Sequence, residues 1–494
     1  EVSGLWSFLA VDIVRMARHS PTSEVVALQN KRWNQGETMR NTKAVFCSLA
    51  LAASVAYCQG KPVADVYHPT RRTPSFHVPT AAPGPVSRAA AESCLRSDAG
   101  LFKLPADLSN LEFVSARESL VGTHYRYRQT LNGIPVEGAE IVVSLRTKDG
   151  SPYQICNNTY PVLNPPKAAP AGLTADQALD IAWKRLRVHG PLFGAPSAEL
   201  MYVPAGKTFR LVYRAWVPTM APHGAWEQKI DAVSGEVIAI RDTLIRESKT
   251  RRTLPDLDAY AGPVASRADL VAAWAAKNKA ALAMKSSAAA KNRVDGMALV
   301  FDPDPRAATM NDSLTDASPA GSFAAAYVTR TLKDISETNG VYSLEGPWVT
   351  IGEVDAPVDA PSTTSDGNWT AHRGVNAFND VMTYFHVDQN QRYLQSLGYT
   401  GAKGIQNAPI VADSDGAGGD DNSYYDPSGN TLSFGHGGVD DNEDADVILH
   451  EYGHAITADI IPSWGGGDTG AIGEGFGDYW GGTYSYSAPN GTSY

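Results

Sequence analysis

Residues 450–454 read His-Glu-Tyr-Gly-His. Two histidines four positions apart lie one turn apart on the same face of a helix. That spacing lets both imidazoles reach one Zn²⁺ at about 2.0–2.1 Å. Glu451 adjoins the first of them. It is placed to hold a metal-bound water, whose pKa zinc lowers to about 7, and to take its proton. A catalytic zinc takes three protein ligands and keeps a fourth position open. The third is sought downstream, on a separate element. Glu474 follows His454 by twenty positions, and Asp478 follows Glu474 by one helical turn. The expected set is therefore His450, His454 and Glu474 as zinc ligands, with Glu451 as the general base. Asp478 is expected to accept a hydrogen bond from a ligand imidazole and so fix its tautomer and orientation.

These residues need a helix over the 450–454 motif and a second element carrying Glu474. The apolar residues Val447, Ile448 and Leu449 precede the motif, and Pro462 closes the helix after Ala455, Ile456 and Ala458. Asp446 suits the N-terminus of that helix through its macrodipole. Between residues 401 and 450 there are ten acidic residues and one basic residue, Lys403. Asp413, Asp415, Asp420 and Asp421 sit there among glycines, as oxygen ligands for calcium or as a solvated loop.

The chain has 494 residues, 43% of them hydrophobic and 19% charged. That is the composition of globular domains, about three at this length. Its net charge of −11 argues against a nucleic-acid partner, whose binding rests on basic patches. No apolar run reaches the roughly 18 residues of a membrane span. Four cysteines support neither a disulfide framework nor a cysteine-type structural zinc site. Met39-Arg40 and an apolar run from Ala44 to Ala56 read as a secretory signal, so the protein is expected to be secreted and free of the membrane once the signal is removed. Residues 1–38 are then an upstream segment without function. In an oxidising compartment Cys94 and Cys156 are open to pairing.

Residues 57–100 are rich in Pro, Ala, Ser and Thr and read as a linker. From 101 to 165 alternation dominates, with Tyr125, Tyr127 and Gln129 on one face and an Asn132-Gly133 turn before a returning strand from Ala139 to Leu145. Residues 172–245 form a second α+β unit. Thr174 caps a helix with Ala178, Leu179, Ala182, Trp183 and Leu186 at helical spacing, and strands follow at Leu211–Val217, Ala225–Ile230 and Val237–Ile240. Residues 246–292, with Arg251-Arg252 and an Ala/Lys-rich tract, read as a processing linker. Residues 293–494, which hold the 450–454 motif, are expected to form the catalytic domain.

The zinc motif with Gly473-Glu474-Gly475-Phe476-Gly477-Asp478 resembles the thermolysin/fungalysin group of secreted zinc endopeptidases. Val375-Asn376-Ala377-Phe378-Asn379-Asp380 resembles a helix start of the fungalysin branch. Residues Gln129 to Glu140 resemble the fungalysin/thermolysin propeptide motif, and Asp231 to Val237 resemble the PepSY module. The resemblance implies an α+β precursor: two small α+β propeptide modules, then a thermolysin-like zincin N-terminal lobe with an active-site helix. It implies an inhibitory, folding-assisting prosegment from about 57 to 290, acting on its own catalytic domain, and protein or peptide substrates. Asn422 and Ser423 would hold substrate in extended form by β-augmentation. Asp446 would be a calcium ligand beside the zinc.

The family's oxyanion-binding histidine lies far downstream, and no histidine follows His454 here. The expectation is therefore a helical C-terminal lobe largely absent before Tyr494. The expected reaction is hydrolysis of internal peptide bonds by zinc-activated water, with Glu451 passing the proton to the leaving amine. Two alternatives stay open: a zinc aminopeptidase, and a non-catalytic secreted binding or inhibitory protein built on the propeptide fold.

Overall fold

The computed structural model describes residues 65–161, 171–206, 208–246, 260–276, 292–427, 429–461 and 467–487. The upstream segment, the signal and the dibasic pair lie outside the described residues. The architecture is α+β, with seven helices among the described residues. Of these residues, one compact unit takes those up to 161 with 206, 208–209 and 397–403, and a second takes the rest.

In the first unit, β1 (Val66–Tyr67), β2 (Pro74–His77), β3 (Leu111–Glu118), β4 (Gly122–Leu131), β5 (Ile134–Arg146) and β6 (Pro152–Asn157) form antiparallel pairs in the order β1-β2-β6-β5-β4-β3. Asn132 and Gly133 both take positive φ, 52° and 76°, as the two-residue turn of a twisted hairpin requires. One helix, α1 (Arg88–Phe102), covers a face of this sheet. Ser87 caps it by accepting from the Ala90 amide.

Helix α1 corrects the reading of 57–100 as a linker. Its Ala91, Cys94, Leu95, Ala99 and Phe102 recur at helical spacing and are buried with Tyr125, Tyr127, Ile141, Val143 and Ile155. The small-residue composition had hidden that stripe. The pairing open to Cys94 and Cys156 is absent: both are free thiols, and burial pushes them up to about 11 and about 12.

The second unit begins with α2 (Ala175–Leu186). Thr174 and Gln177 form a reciprocal capping box at its start. β7 (Ser197–Ala205), β8 (Thr208–Met220), β9 (His223–Asp231) and β10 (Val237–Asp242) lie side by side in that order. The two-residue strand β11 (Ile245–Arg246) follows. Part of the stretch expected as a processing linker is folded onto α2. Helix α3 (residues 267–276) begins at Arg267, which pairs with Asp176 and Asp180, and the Ala265 carbonyl accepts from the Trp183 indole at 2.8 Å.

Further along are β12 (Asn292–Phe301), α4 (Pro305–Thr309), β13 (Tyr327–Thr338), β14 (Val341–Ser343), β15 (Val349–Ile351), β16 (Thr363–Thr364), β17 (Asn368–Trp369) and α5 (Asn376–Ser396). Then come β18 (Ile410–Asp413), β19 (Ser423–Asp426), β20 (Thr431–Phe434), α6 (Ala445–Ile460) and α7 (Gly467–Ser487). One five-stranded sheet runs β16-β14-β13-β12-β17 and another runs β11-β19-β20-β18-β15. Helix α5 is buried nearly all round, with Phe378, Val381, Met382, Tyr384 and Leu394 in the core. It packs on β12, on β15 and on α6.

Candidate metal centre

Helix α6 carries the two histidines. Asp444 caps it, accepting from the Asp446 amide at 2.8 Å. Burial and the neighbouring charges of Asp446 and Asp304 push Asp444 up to about 8. The helix ends at Ile460, two positions before Pro462, where the residue preceding a proline disfavours helical backbone. His450, Glu451 and His454 are all buried, and their ligand atoms lie within 4.8 Å of one another.

Helix α7 carries Glu474 and Asp478. The Nε2 of His450 is 3.1 Å from Glu474 Oε2, and the Nε2 of His454 is 3.6 Å from the same oxygen. On its other side, His450 Nδ1 is 3.1 Å from Asp478 Oδ1. Ligands held tetrahedrally at about 2.0–2.1 Å from zinc stand roughly 3.3 Å apart. The two observed separations bracket that value. His454 Nδ1 and Nε2 are buried and make no hydrogen bond among the described residues. A buried imidazole without a partner is costly, and a metal would satisfy its Nε2. The donor set of two imidazoles and one carboxylate therefore fits zinc.

The charges agree. Burial opposes a His450 cation, but the bond to Glu474 and the charges of Glu451, Glu474 and Asp478 outweigh it and carry its pKa up to about 9. Burial raises Glu474, and the bond to His450 with the nearby ring of His454 overcomes that, bringing it down to about 2. Burial, the largest influence, lowers His454. The pair of helices thus keeps the carboxylate ionised and His454 neutral, the forms that ligate a metal, while His450 must release a proton to do so.

Glycines that sequence reasoning passed over make this geometry attainable. Helix α7 is glycine-rich, which weakens a helix by up to about 1 kcal/mol per residue against alanine. A Cβ on Gly477 would stand 2.8 Å from His450 Nδ1. A Cβ on Gly453 would stand 3.0 Å from the Gly477 Cα, and one on Gly481 would stand 2.8 Å from the Asp446 carbonyl oxygen. Backbone meets backbone along this seam, and the close approach carries Glu474 to the histidines. The available signal was Gly477 and Gly481 one turn apart, in phase with Glu474.

The other expected residues lie elsewhere. Ser423 is buried at the start of β19 and its hydroxyl donates to Asp441 at 2.6 Å, while Asn422 just precedes the strand. The outer edge of β19 is paired antiparallel with β11, Ile245 opposite Tyr425 and Arg246 opposite Tyr424. Asp446, expected at calcium, accepts a hydrogen bond from Ser485 on α7. In the acidic loop, Asp413 accepts from the amides of Val354, Asp355 and Asp415, so its oxygens fix backbone.

A family model described as Fungalysin/Thermolysin Propeptide Motif matches residues 110–158. That span runs from β3 to β6, so the first unit carries a propeptide motif of that type. No curated protein matches the chain. Among solved structures, the Bacillus megaterium YpeB C-terminal domain is similar at a TM-score of 0.20 and 9% identity, over 34% of this chain and 71% of that one.

Proposed function

We propose that the chain is the precursor of a secreted zinc metalloendopeptidase. In this reading its β-rich N-terminal modules form the prosegment, and residues 293–494 belong to a thermolysin-like catalytic lobe. The observation that carries the reading is the convergence of His450, His454 and Glu474 from two helices, with Asp478 behind His450. The propeptide motif over 110–158 supports the precursor half of it.

His450, His454 and Glu474 would hold the zinc, which supplies Lewis-acid polarisation of a carbonyl and acidifies a water. Glu451 lies fully buried beside the ligands, takes a proton at its carboxylate and returns it to the leaving amine. Asp478 holds the His450 Nδ1 proton, which keeps Nε2 directed at the metal. The β19 edge offers backbone for an extended peptide, and β11 of the prosegment lies along it in the manner of one. We read this contact as part of the inhibition of the enzyme by its own prosegment.

The test is zinc stoichiometry of the purified chain beside its Glu474→Ala variant, with casein cleavage on the same samples. One zinc per chain, lost in the variant, is expected. A parent that binds no zinc refutes the proposal.

A further inference from the structure

Helix α5 carries three consecutive amides: Gln389, Asn390 and Gln391. Asn390 and Gln391 are buried. Gln391 Oε1 accepts from the hydroxyl of Tyr452 at 2.6 Å, and its Nε2 donates to the Ile405 carbonyl at 2.8 Å. Both ends of that amide are therefore committed, and its orientation is fixed. Tyr452 is fully buried and lies between His450 and His454 on α6. Asn390 Oδ1 accepts from the Trp480 indole at 2.6 Å. Trp480 lies two residues past Asp478 on α7. Gln389 donates to the Tyr484 hydroxyl, also on α7, and Tyr484 donates in turn to Asp302 at 2.7 Å. Successive residues of a helix point about 100° apart. One helix thus pins both of the helices that bear the candidate ligands.

The seam between α6 and α7 explains why pins are needed. Gly453, Gly477 and Gly481 bring the two backbones close there, so between the His450–Asp478 and Asp446–Ser485 bonds few side chains interlock. Such a contact sets a short separation between helices but resists sliding weakly. Metal ligands, by contrast, must sit within about 0.2 Å of their proper distances. A hydrogen bond to a fixed amide confines sliding far more narrowly than apolar contact does, and losing one would leave a buried hydroxyl or indole N–H unsatisfied.

We propose that Asn390 and Gln391 are positioning residues for the metal site. Gln391 fixes the rotation of α6 through Tyr452, and Asn390 fixes the advance of α7 through Trp480. Together they hold Glu474 at its distance from His450 and His454. This inference rests on the zinc reading above.

The test uses the full chain. Asn390→Leu and Gln391→Met remove each acceptor at similar volume, and Asn390→Asp restores an acceptor oxygen for Trp480. Leu394→Ala removes a fully buried side chain from the same helix and leaves both amide hydrogen bonds in place. Zinc affinity is measured by chelator competition, ligand geometry by the visible spectrum of the cobalt(II)-loaded chain, and stability by the Tm of the metal-free chain. Asn390→Leu and Gln391→Met are expected to weaken zinc binding about 10–100-fold, the range for groups that orient metal ligands, and to shift the cobalt spectrum. Asn390→Asp should recover to within about threefold of the parent if the acceptor is what matters. Leu394→Ala should lower the Tm with zinc affinity and spectrum unchanged. Affinity that falls in step with Tm across all variants, Leu394→Ala included, would overturn the inference, as would unchanged affinity in Asn390→Leu. If Gln391→Met fails to fold, Tyr452→Phe removes the same bond without stranding a hydroxyl and is read by the same criteria. A parent without zinc refutes the zinc reading itself and this inference with it, an outcome distinct from zinc binding that ignores the pins.

Discussion

Asp478 faces the Nδ1 of His450 at 3.1 Å across two helices, which directs the opposite nitrogen of the ring at Glu474. The Asp478→Ala variant keeps every expected ligand and loses the group that orients one of them. Zinc affinity is expected to fall about 10–100-fold while stoichiometry at saturating metal is kept, as chelator competition would measure. Loss of stoichiometry would make Asp478 a ligand instead.

In the proposed mechanism, substitution at Glu451 separates binding from chemistry. Glu451→Gln removes a proton acceptor and leaves both imidazoles and Glu474 in place. Zinc content is expected to match the parent, and casein cleavage after prosegment removal to drop by about 10²–10⁴. Cleavage at the parental rate would exclude Glu451 as the base.

Two glycines two residues apart, and so on different faces of α7, should behave in opposite ways. A methyl on Gly477 would collide with the His450 ring, whereas a Cβ on Gly475 meets nothing within 4 Å. Gly477→Ala is expected to lose zinc affinity and stability. Gly475→Ala is expected to keep zinc and gain up to about 1 kcal/mol from better helix propensity. Thermal unfolding and metal titration of the pair read both effects.

In the first unit, His124 is buried between Ser119 and Ser144, each 2.9 Å from a ring nitrogen. Burial, with a smaller push from Arg117, brings it down from its usual value near 6.5 to about 3. Between those pH values the unfolded chain holds a proton that the folded chain refuses. Stability therefore falls as the pH drops from about 6.5 towards 3, by up to roughly 1.4 kcal/mol per unit, and this contribution is flat above 6.5. Hydrogen exchange of the β4 and β5 amides against pH should show that slope, and His124→Gln should flatten it.

Phe102 ends α1 wholly buried against the β3–β6 sheet. Phe102→Ala is expected to cost that unit about 3–5 kcal/mol. Guanidinium unfolding followed by exchange at β5 would detect it, and a cost below 1 kcal/mol would return residues 88–102 to the status of a linker.

The parts of the fold that were legible in sequence are those where local chemistry and packing agree. Asn132-Gly133 could only be a tight turn, and Thr174 with Gln177 could only open a helix that buries Trp183. The histidine spacing gave the relation between His450 and His454 because a single helix fixes it. Helix α1 was hidden because Ala91, Cys94 and Ala99 are small, and their burial is decided by a sheet distant in sequence. Helix α7 was legible only as the turn from Glu474 to Asp478. Its glycines oppose helix locally, and its partner α6 overrides them. The pairing of β11 with β19 joins residues about 180 positions apart, and no local signal announces it.

That last pairing has a kinetic meaning. A strand tethered to its own acceptor edge competes at an effective concentration of the order of millimolar, however weak two residues of pairing are by themselves. A free peptide of equal affinity at micromolar levels would lose that contest. A single cut in the chain beyond Arg246 turns the tethered strand into a solute that dilution can remove. If the chain is the protease precursor proposed above, the onset of activity would follow the concentration of the cleaved protein: slow where it is crowded at its source, and fast once it has spread.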